Sequence, residues 1–197
     1  MPKAVATLLN ARWIVPVEPE GQVLDHHALI IQDGRILDLL PQAEAAACYV
    51  AETCLNFDRH VLIPGLINAH THASMTLLRG LADDLPLMTW LQEHIWPAEA
   101  RWVNPEFVQD GTRLAIAEML RGGVTCFNDM YFFPEATAAV AREIGMRACI
   151  GLIAVDFPTA YARNLDDYLD KGLALHEAIK PEPLLHTAFA PHATYTV

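Results

Sequence analysis

Residues 64–72 read Pro64-Gly65-Leu66-Ile67-Asn68-Ala69-His70-Thr71-His72, an apolar run that ends in two histidines. Side chains on a strand alternate between its two faces, so His70 and His72 project to the same side. Two imidazoles that converge on one point are suited to bind a divalent metal. An isolated His-x-His pair more often has a structural role. The neighbouring sequence therefore decides how this pair is interpreted.

Short apolar runs alternate with helical patterns after residue 65. The predicted strands are Leu66–His70, Val124–Met130, Arg147–Val155 and Leu184–Ala190, and the predicted helices are Glu106–Arg121, Pro134–Ile144 and Leu165–Ile179. Asn104-Pro105 supplies an N-cap and a first-turn proline for the first of these helices. The alternation predicts an α/β fold whose parallel strands are joined by helices.

A three-layer α/β sandwich and a (β/α)8 barrel both fit this alternation. Both architectures bind ligands at the carboxyl ends of their strands. Polar residues collect at those ends here, namely His70, His72, Asn128, Asp129, Asp156 and His192. No glycine-rich phosphate loop follows the first strand, which disfavours a dinucleotide-binding fold. Four strands are half of a barrel, which typically needs about 250 residues. We expect an N-terminal piece of a longer enzyme, with a half-barrel that assembles with something else as the alternative.

The first 60 residues predict β-structure. Ala28–Gln32 and Arg35–Leu39 flank Asp33-Gly34, a two-residue hairpin signal because both central residues tolerate a positive φ. Leu8–Val17 and Thr53–Phe57 are further apolar runs of strand length. We expect these strands to form one small sheet.

The composition excludes several classes of protein. The 197 residues are 53% hydrophobic and 19% charged, which is ample for a packed core. Thirteen basic and 24 acidic side chains give a formal net charge of -11, which argues against nucleic-acid binding. No apolar run approaches the ~20 residues of a membrane span, and no secretory signal is recognisable. The four cysteines form no regular framework, so we expect reduced thiols in a cytoplasmic protein.

Two segments of the chain, residues 30–36 and 62–72, resemble the start of an amidohydrolase-superfamily enzyme. Other segments are similar to 5-methylthioadenosine/S-adenosylhomocysteine deaminases, a branch that also contains chlorohydrolases and guanine deaminases. These segments are Met75–Leu85, Trp90-Leu91, Trp96–Glu99, Asn128–Phe132 and Ala190–His192. The resemblance extends over nearly the whole chain.

The resemblance implies a (β/α)8 metal-dependent hydrolase barrel with a β-sandwich built from both chain ends. Residues 1–60 would then be the N-terminal part of the sandwich, and residues 61–197 the first four βα units of the barrel. Such enzymes hold one divalent metal, usually zinc, through the His-x-His pair, a histidine on the fifth strand and an aspartate on the eighth. A glutamate near the fifth-strand histidine moves protons.

Five residues of this chain take functional positions by the same resemblance. His70 and His72 would bind the metal. Glu99 falls where the family's glutamate binds the ribose hydroxyls, His192 where a histidine contacts the substrate, and Arg163 near a substrate-contacting arginine. The other ligands and the general acid/base glutamate are expected beyond Val197. We therefore expect residues 1–197 alone to be inactive.

The expected reaction is metal-dependent deamination of an adenine nucleoside to its inosine analogue and ammonia. The expected partner is this small-molecule substrate, with no nucleic acid or membrane, and enzymes of the branch are often homo-oligomers. One alternative is another hydrolase of the branch, acting on guanine or a triazine. Glu99 argues against it, because a ribose-binding carboxylate has no use with a bare base. The other alternative is a non-catalytic half-barrel that acts only with a partner.

Overall fold

The chain folds as two units, Met1–Pro64 and Gly65–Val197. The computed structural model describes residues 1–197. One unit is built on a mixed sheet and the other on a parallel sheet with helices, which confirms the predicted α/β class. None of the helices has the length and apolar character that crossing a lipid bilayer requires.

The first unit contains four strands and one helix. They are β1 (Lys3–Ile14), β2 (Leu24–Gln32), β3 (Arg35–Pro41), α1 (Gln42–Cys48) and β4 (Tyr49–Leu62). The sheet order is β3-β2-β1-β4, with β2 antiparallel to both neighbours and β1 parallel to β4. Val5, Leu8, Ala28 and Ile30 form its core together with Ala45 of α1.

The hairpin predicted at Asp33-Gly34 is confirmed. Asp33 and Gly34 have φ angles of 53° and 71°, and Gln32 pairs with Arg35 across the turn. Two positive φ angles match the right-handed twist of the flanking strands. These 64 residues form a single sheet, so a β-sandwich would need a second sheet from elsewhere in the protein.

The second unit alternates strands and helices. Its strands are β5 (Leu66–Thr71), β6 (Val124–Asp129), β7 (Arg147–Ala154) and β8 (Leu185–Pro191), and its α-helices are α2 (Leu87–Thr89), α3 (Trp96–Trp102), α4 (Pro105–Arg121), α5 (Pro134–Ile144) and α6 (Leu165–Ile179). A 3-10 helix covers Ala73–Leu78, and a π-helical stretch covers Trp90–Ile95. All neighbouring strands pair in parallel in the order β5-β6-β7-β8, which confirms the predicted crossover topology.

Asparagine caps fix where two of the crossover helices begin. The side-chain oxygen of Asn104 accepts from the Phe107 N–H at the start of α4, and Asn164 does the same for Asp167 at the start of α6, both at 2.9 Å. Each cap satisfies a backbone donor that the first helical turn leaves free. α5 ends at Gly145, whose φ of 79° is accessible to glycine at little cost.

The core of the second unit lies between the sheet and the crossover helices. Ile116 of α4, Phe127 of β6, Val140 of α5 and Ile150 of β7 are buried there. Because all four strands run in the same direction, their carboxyl ends meet at one edge of the sheet. The polar residues that follow these strands are thereby brought together.

Candidate active site

The paired histidines lie at the carboxyl end of β5, His70 within the strand and His72 just after it. Their ring centroids are 5.2 Å apart. Nδ1 of His72 lies 2.6 Å from the carbonyl oxygen of Met130. Because a carbonyl oxygen can only accept, His72 donates from Nδ1, which leaves its Nε2 lone pair free to bind a metal.

The donor chemistry of the pair suits zinc and similar divalent ions, which bind neutral imidazole nitrogens. No third His, Cys, Asp or Glu side chain in residues 1–197 joins His70 and His72 in a metal-binding group. A catalytic metal site uses at least three protein ligands. The pair is therefore an incomplete ligand set.

Asp129, the last residue of β6, stabilises the turn that contains His72 through hydrogen bonds. Its Oδ1 accepts from the Thr71 hydroxyl and from the Ala73 N–H, both at 2.7 Å. Burial raises the pKa of Asp129 above its ordinary value, and the hydrogen bonds from Ala73 and Thr71 oppose that rise. One buried carboxylate thus holds the residue on each side of His72.

A cavity of about 460 Å³ opens beside His72, within the second unit. Glu99 of α3 and His192, which follows β8, line it as well. Trp90 and Trp96 belong to a mainly apolar wall provided by residues 87–103, which are helical up to Trp102. The cavity therefore combines an apolar wall with a cluster of polar side chains, as small-molecule sites commonly do.

The Glu99 carboxylate is partly buried in this cavity. Its Oε1 accepts a hydrogen bond of 2.7 Å from the Tyr131 hydroxyl. Burial raises the pKa of Glu99, while the Tyr131 hydrogen bond and the nearby His72 lower it. Burial also raises the pKa of Tyr131, further helped by the Glu99 charge, so Tyr131 remains a protonated donor.

The His192 ring is held by the residues that follow it. The Thr196 hydroxyl donates to the Ala193 carbonyl at 3.1 Å, and its oxygen lies 2.9 Å from Nδ1 of His192. The Thr196 oxygen therefore accepts from Nδ1, which leaves Nε2 of His192 as an acceptor. Partial burial and then the proximity of His72 lower the pKa of His192, which favours the neutral ring.

Three of the five predicted site residues, His72, Glu99 and His192, line the cavity, and His70 adjoins it through His72. Arg163 lies elsewhere. Its side chain is 88% exposed and forms an ion pair with Asp167, with Nε and Oδ2 3.2 Å apart. The structure therefore does not bring Arg163 to the other four residues.

Sequence reasoning missed Tyr131 and Thr196 as partners of Glu99 and His192. Tyr131 lies inside the Asn128–Phe132 segment that carries the family resemblance, but 32 residues separate it from Glu99. Thr196 is four residues from His192 and outside any helix, where that spacing has no fixed geometry. For Tyr131 the available signal was a polar residue two positions past a strand end, and for Thr196 the sequence offered no comparable signal.

The fold and the histidine pair are typical of metal-dependent hydrolases, whose sites lie at the carboxyl ends of parallel strands. Residues 61–197 match the sequence profile of the amidohydrolase family. The chain belongs to this family, and the resemblance noted in its sequence is confirmed.

Comparison with curated relatives identifies a group of enzymes within the family to which the chain is similar in sequence. The chain is 51% identical over 190 residues to the 5-methylthioadenosine/S-adenosylhomocysteine deaminase of Saccharophagus degradans, an alignment that covers 96% of this chain and 43% of that protein. It is 49% identical over 189 residues to the enzyme of the same name from Teredinibacter turnerae, again with 96% and 43% coverage. The chain thus spans less than half the length of these relatives.

Solved structures agree with this grouping. A crystal structure of an adenosine deaminase from Xanthomonas campestris with bound zinc matches with a TM-score of 0.98 and 51% identity, over 100% of this chain and 45% of that one. An atrazine chlorohydrolase from Arthrobacter aurescens, complexed with zinc, matches with a TM-score of 0.79 at 18% identity, over 93% and 46% of the two chains. At that identity the second match shows a shared fold alone.

Proposed function

We propose that the chain is the N-terminal part of a metal-dependent aminohydrolase that converts adenine nucleosides, such as 5'-methylthioadenosine or S-adenosylhomocysteine, to their inosine analogues and ammonia. The observation that carries the proposal is the convergence of His72, Glu99 and His192 on one cavity. The names of the curated relatives and the zinc-bound deaminase structure support the same reaction.

The finer architecture is part of this proposal. Residues 61–197 form the first four βα units of a (β/α)8 barrel, and residues 1–60 form part of a β-sandwich. The free edges of β5 and β8 support this arrangement, because an unpaired strand edge exposes backbone donors and acceptors that a closed barrel would satisfy. A cytoplasmic homo-oligomer remains our expectation for the assembled enzyme.

In this proposal, His70 and His72 are ligands of the metal, and zinc is the expected ion. A divalent metal supplies Lewis acidity and activates water for attack on the ring carbon that bears the amine. The ligand count requires at least one more donor from outside residues 1–197, and the family resemblance places the general acid/base glutamate beyond Val197. We therefore assign deamination to the full-length enzyme and expect none from residues 1–197 alone.

The other side chains bind and orient the substrate. The Glu99 carboxylate accepts from the ribose 2'- and 3'-hydroxyls, and the free Nε2 of His192 accepts from the substrate's ring or amine. The apolar wall that contains Trp90 and Trp96 excludes water from the base. Arg163, paired with Asp167 on the surface, would meet only a substrate tail that extends out of the cavity.

Replacement of Glu99 by glutamine tests the nucleoside assignment in the metal-loaded full-length enzyme. A hydrogen bond to a charged acceptor contributes about 1.5–3 kcal/mol. Glu99→Gln should therefore lower kcat/KM for adenosine by roughly ten- to a hundredfold, and should have little effect on 2',3'-dideoxyadenosine, which lacks both hydroxyls. Ammonia release is the measurement. Glu93→Gln is the matched control, because Glu93 is an exposed carboxylate on the same helical segment.

An equal loss on both substrates would contradict the role of Glu99. The reaction itself fails if the metal-loaded enzyme releases no ammonia from any adenine nucleoside. Turnover of guanine or of a chlorinated or aminated triazine would then favour the other hydrolases of the branch. Activity only after addition of a separate protein would favour a half-barrel that depends on a partner.

A further inference from the structure

Tyr131 connects the end of β6 with α3. The residue follows the strand by two positions, and its side chain is 5% exposed. The ring is buried with Val103, Val108 and Ala136. Its hydroxyl reaches out of this apolar cluster and donates to Oε1 of Glu99 at 2.7 Å. A rigid, packed side chain thus holds one oxygen of a flexible carboxylate.

This hydrogen bond limits how the Glu99 carboxylate can point. A glutamate has three rotatable side-chain bonds, and a free one must give up that freedom when it binds a ligand. With Oε1 engaged by Tyr131, the second oxygen keeps its acceptor capacity and its direction before the substrate arrives. Pre-organisation of this kind strengthens binding without a new contact to the ligand.

We propose that Tyr131 is a positioning residue that orients Glu99 for the ribose hydroxyls, an inference that rests on the proposed nucleoside substrate. Tyr131 touches no reacting atom in this role. It acts through Glu99, so its contribution depends on the presence of both the Glu99 carboxylate and the sugar hydroxyls.

Tyr131→Phe in the metal-loaded full-length enzyme removes the hydroxyl and keeps the ring in its apolar cluster. We expect KM for adenosine to rise roughly three- to tenfold with kcat within about twofold, because ordering one flexible side chain costs an amount of this size. Calorimetric titration with inosine, the product, should show the same factor without turnover. With 2',3'-dideoxyadenosine we expect no change.

Two further variants separate positioning from a structural role. Tyr161→Phe is the matched control, because the Tyr161 hydroxyl is also buried but has no hydrogen-bond partner. It should leave KM for adenosine unchanged. In the Glu99→Gln background, Tyr131→Phe should cause little additional loss, since the carboxylate that it orients is gone.

The outcomes distinguish the two proposals. If Tyr131→Phe multiplies the loss of Glu99→Gln, or lowers kcat equally with and without the ribose hydroxyls, the positioning role is refuted and the nucleoside assignment stands. If Glu99→Gln alone shows no dependence on the hydroxyls, the substrate-binding role of Glu99 fails whatever Tyr131 does. A KM increase confined to hydroxyl-bearing ligands and absent in the Glu99→Gln background supports the inference.

Discussion

Replacing Asp129 by alanine should weaken metal binding without touching a metal ligand. The Asp129 carboxylate accepts from the Thr71 hydroxyl and the Ala73 N–H, both at 2.7 Å, and these residues flank His72. Asp129→Ala removes the acceptor for both donors. The turn that presents His72 would lose the contacts that hold it to the end of β6.

The structure gives the size of the effect. Ala73 is 4% exposed, so its N–H would be left buried without a partner, which costs about 1–3 kcal/mol. The Thr71 hydroxyl can turn to the Asn128 carbonyl, 3.3 Å away, and therefore adds about 1 kcal/mol or less. We expect Asp129→Ala to lower the free energy of unfolding by about 1–4 kcal/mol. Asp129→Asn, which keeps an acceptor oxygen without the charge, should cost about 1 kcal/mol.

Two measurements on the full-length enzyme check this prediction. Urea denaturation of the metal-free proteins gives the change in stability, and competition with a chelator gives the metal dissociation constant. Loss of a residue that supports a ligand typically weakens metal binding about 10- to 100-fold. Asp156→Ala is the control, because Asp156 is an exposed carboxylate that follows the neighbouring strand β7. It should change stability by less than about 0.5 kcal/mol.

Wild-type metal affinity in a folded Asp129→Ala protein would refute the reasoning, since it would show that the turn holds His72 without Asp129. A loss of metal affinity as large in Asp129→Asn as in Asp129→Ala would also refute the reasoning, on a second ground. That result would assign the effect to the negative charge and not to the two hydrogen bonds.

Two other predictions concern the histidine pair and the 3-10 helix that follows it. His70→Ala combined with His72→Ala should abolish stoichiometric metal in elemental analysis, and full metal content in a folded double variant would contradict their assignment as ligands. Gly111→Ala should lower the free energy of unfolding by at least about 1–3 kcal/mol, because its Cβ would clash with the Ser74 carbonyl oxygen and force α4 away from the 3-10 helix. Gly122→Ala, whose Cβ would meet its nearest atoms at 3.4 Å, should be milder in the same denaturation experiment.

Local chemistry made much of the fold predictable. Asp33-Gly34 specified its hairpin because few other residue pairs tolerate two positive φ angles, and Asn104 marked the start of α4 because a side-chain cap is a local interaction. Helix α1 was missed, since Gln42–Cys48 is short and is stabilised by packing of Ala45 against the sheet. The π-helical stretch Trp90–Ile95 could not be predicted either. Local sequence patterns distinguish a helix from a strand, but they do not distinguish one helical hydrogen-bond pattern from another.

The candidate site was predictable where function depends on residue type and strand position. His72 and His192 follow strand ends, and parallel strands bring such ends together. The partners that orient these rings could not be read from the sequence. The partner of His72 is the backbone carbonyl of Met130, a group that is present in every residue and so gives no sequence signal. The partner of His192 is Thr196, whose position relative to His192 depends on the path of a loop. Arg163 lies only near a substrate-contacting position by resemblance, and its exposed side chain is paired with Asp167 and does not line the cavity.

Met130 serves two purposes through different atoms. Its carbonyl oxygen accepts from the His72 ring, whereas its side chain lines the cavity. A change of amino acid at this position reshapes the cavity wall and leaves the carbonyl where it is. Proline is the exception, because the Met130 N–H donates to the Thr71 carbonyl at 3.2 Å. Substrate preference can therefore drift at residue 130 during evolution, or be selected in a mutant library, while the orientation of the histidine is inherited unchanged.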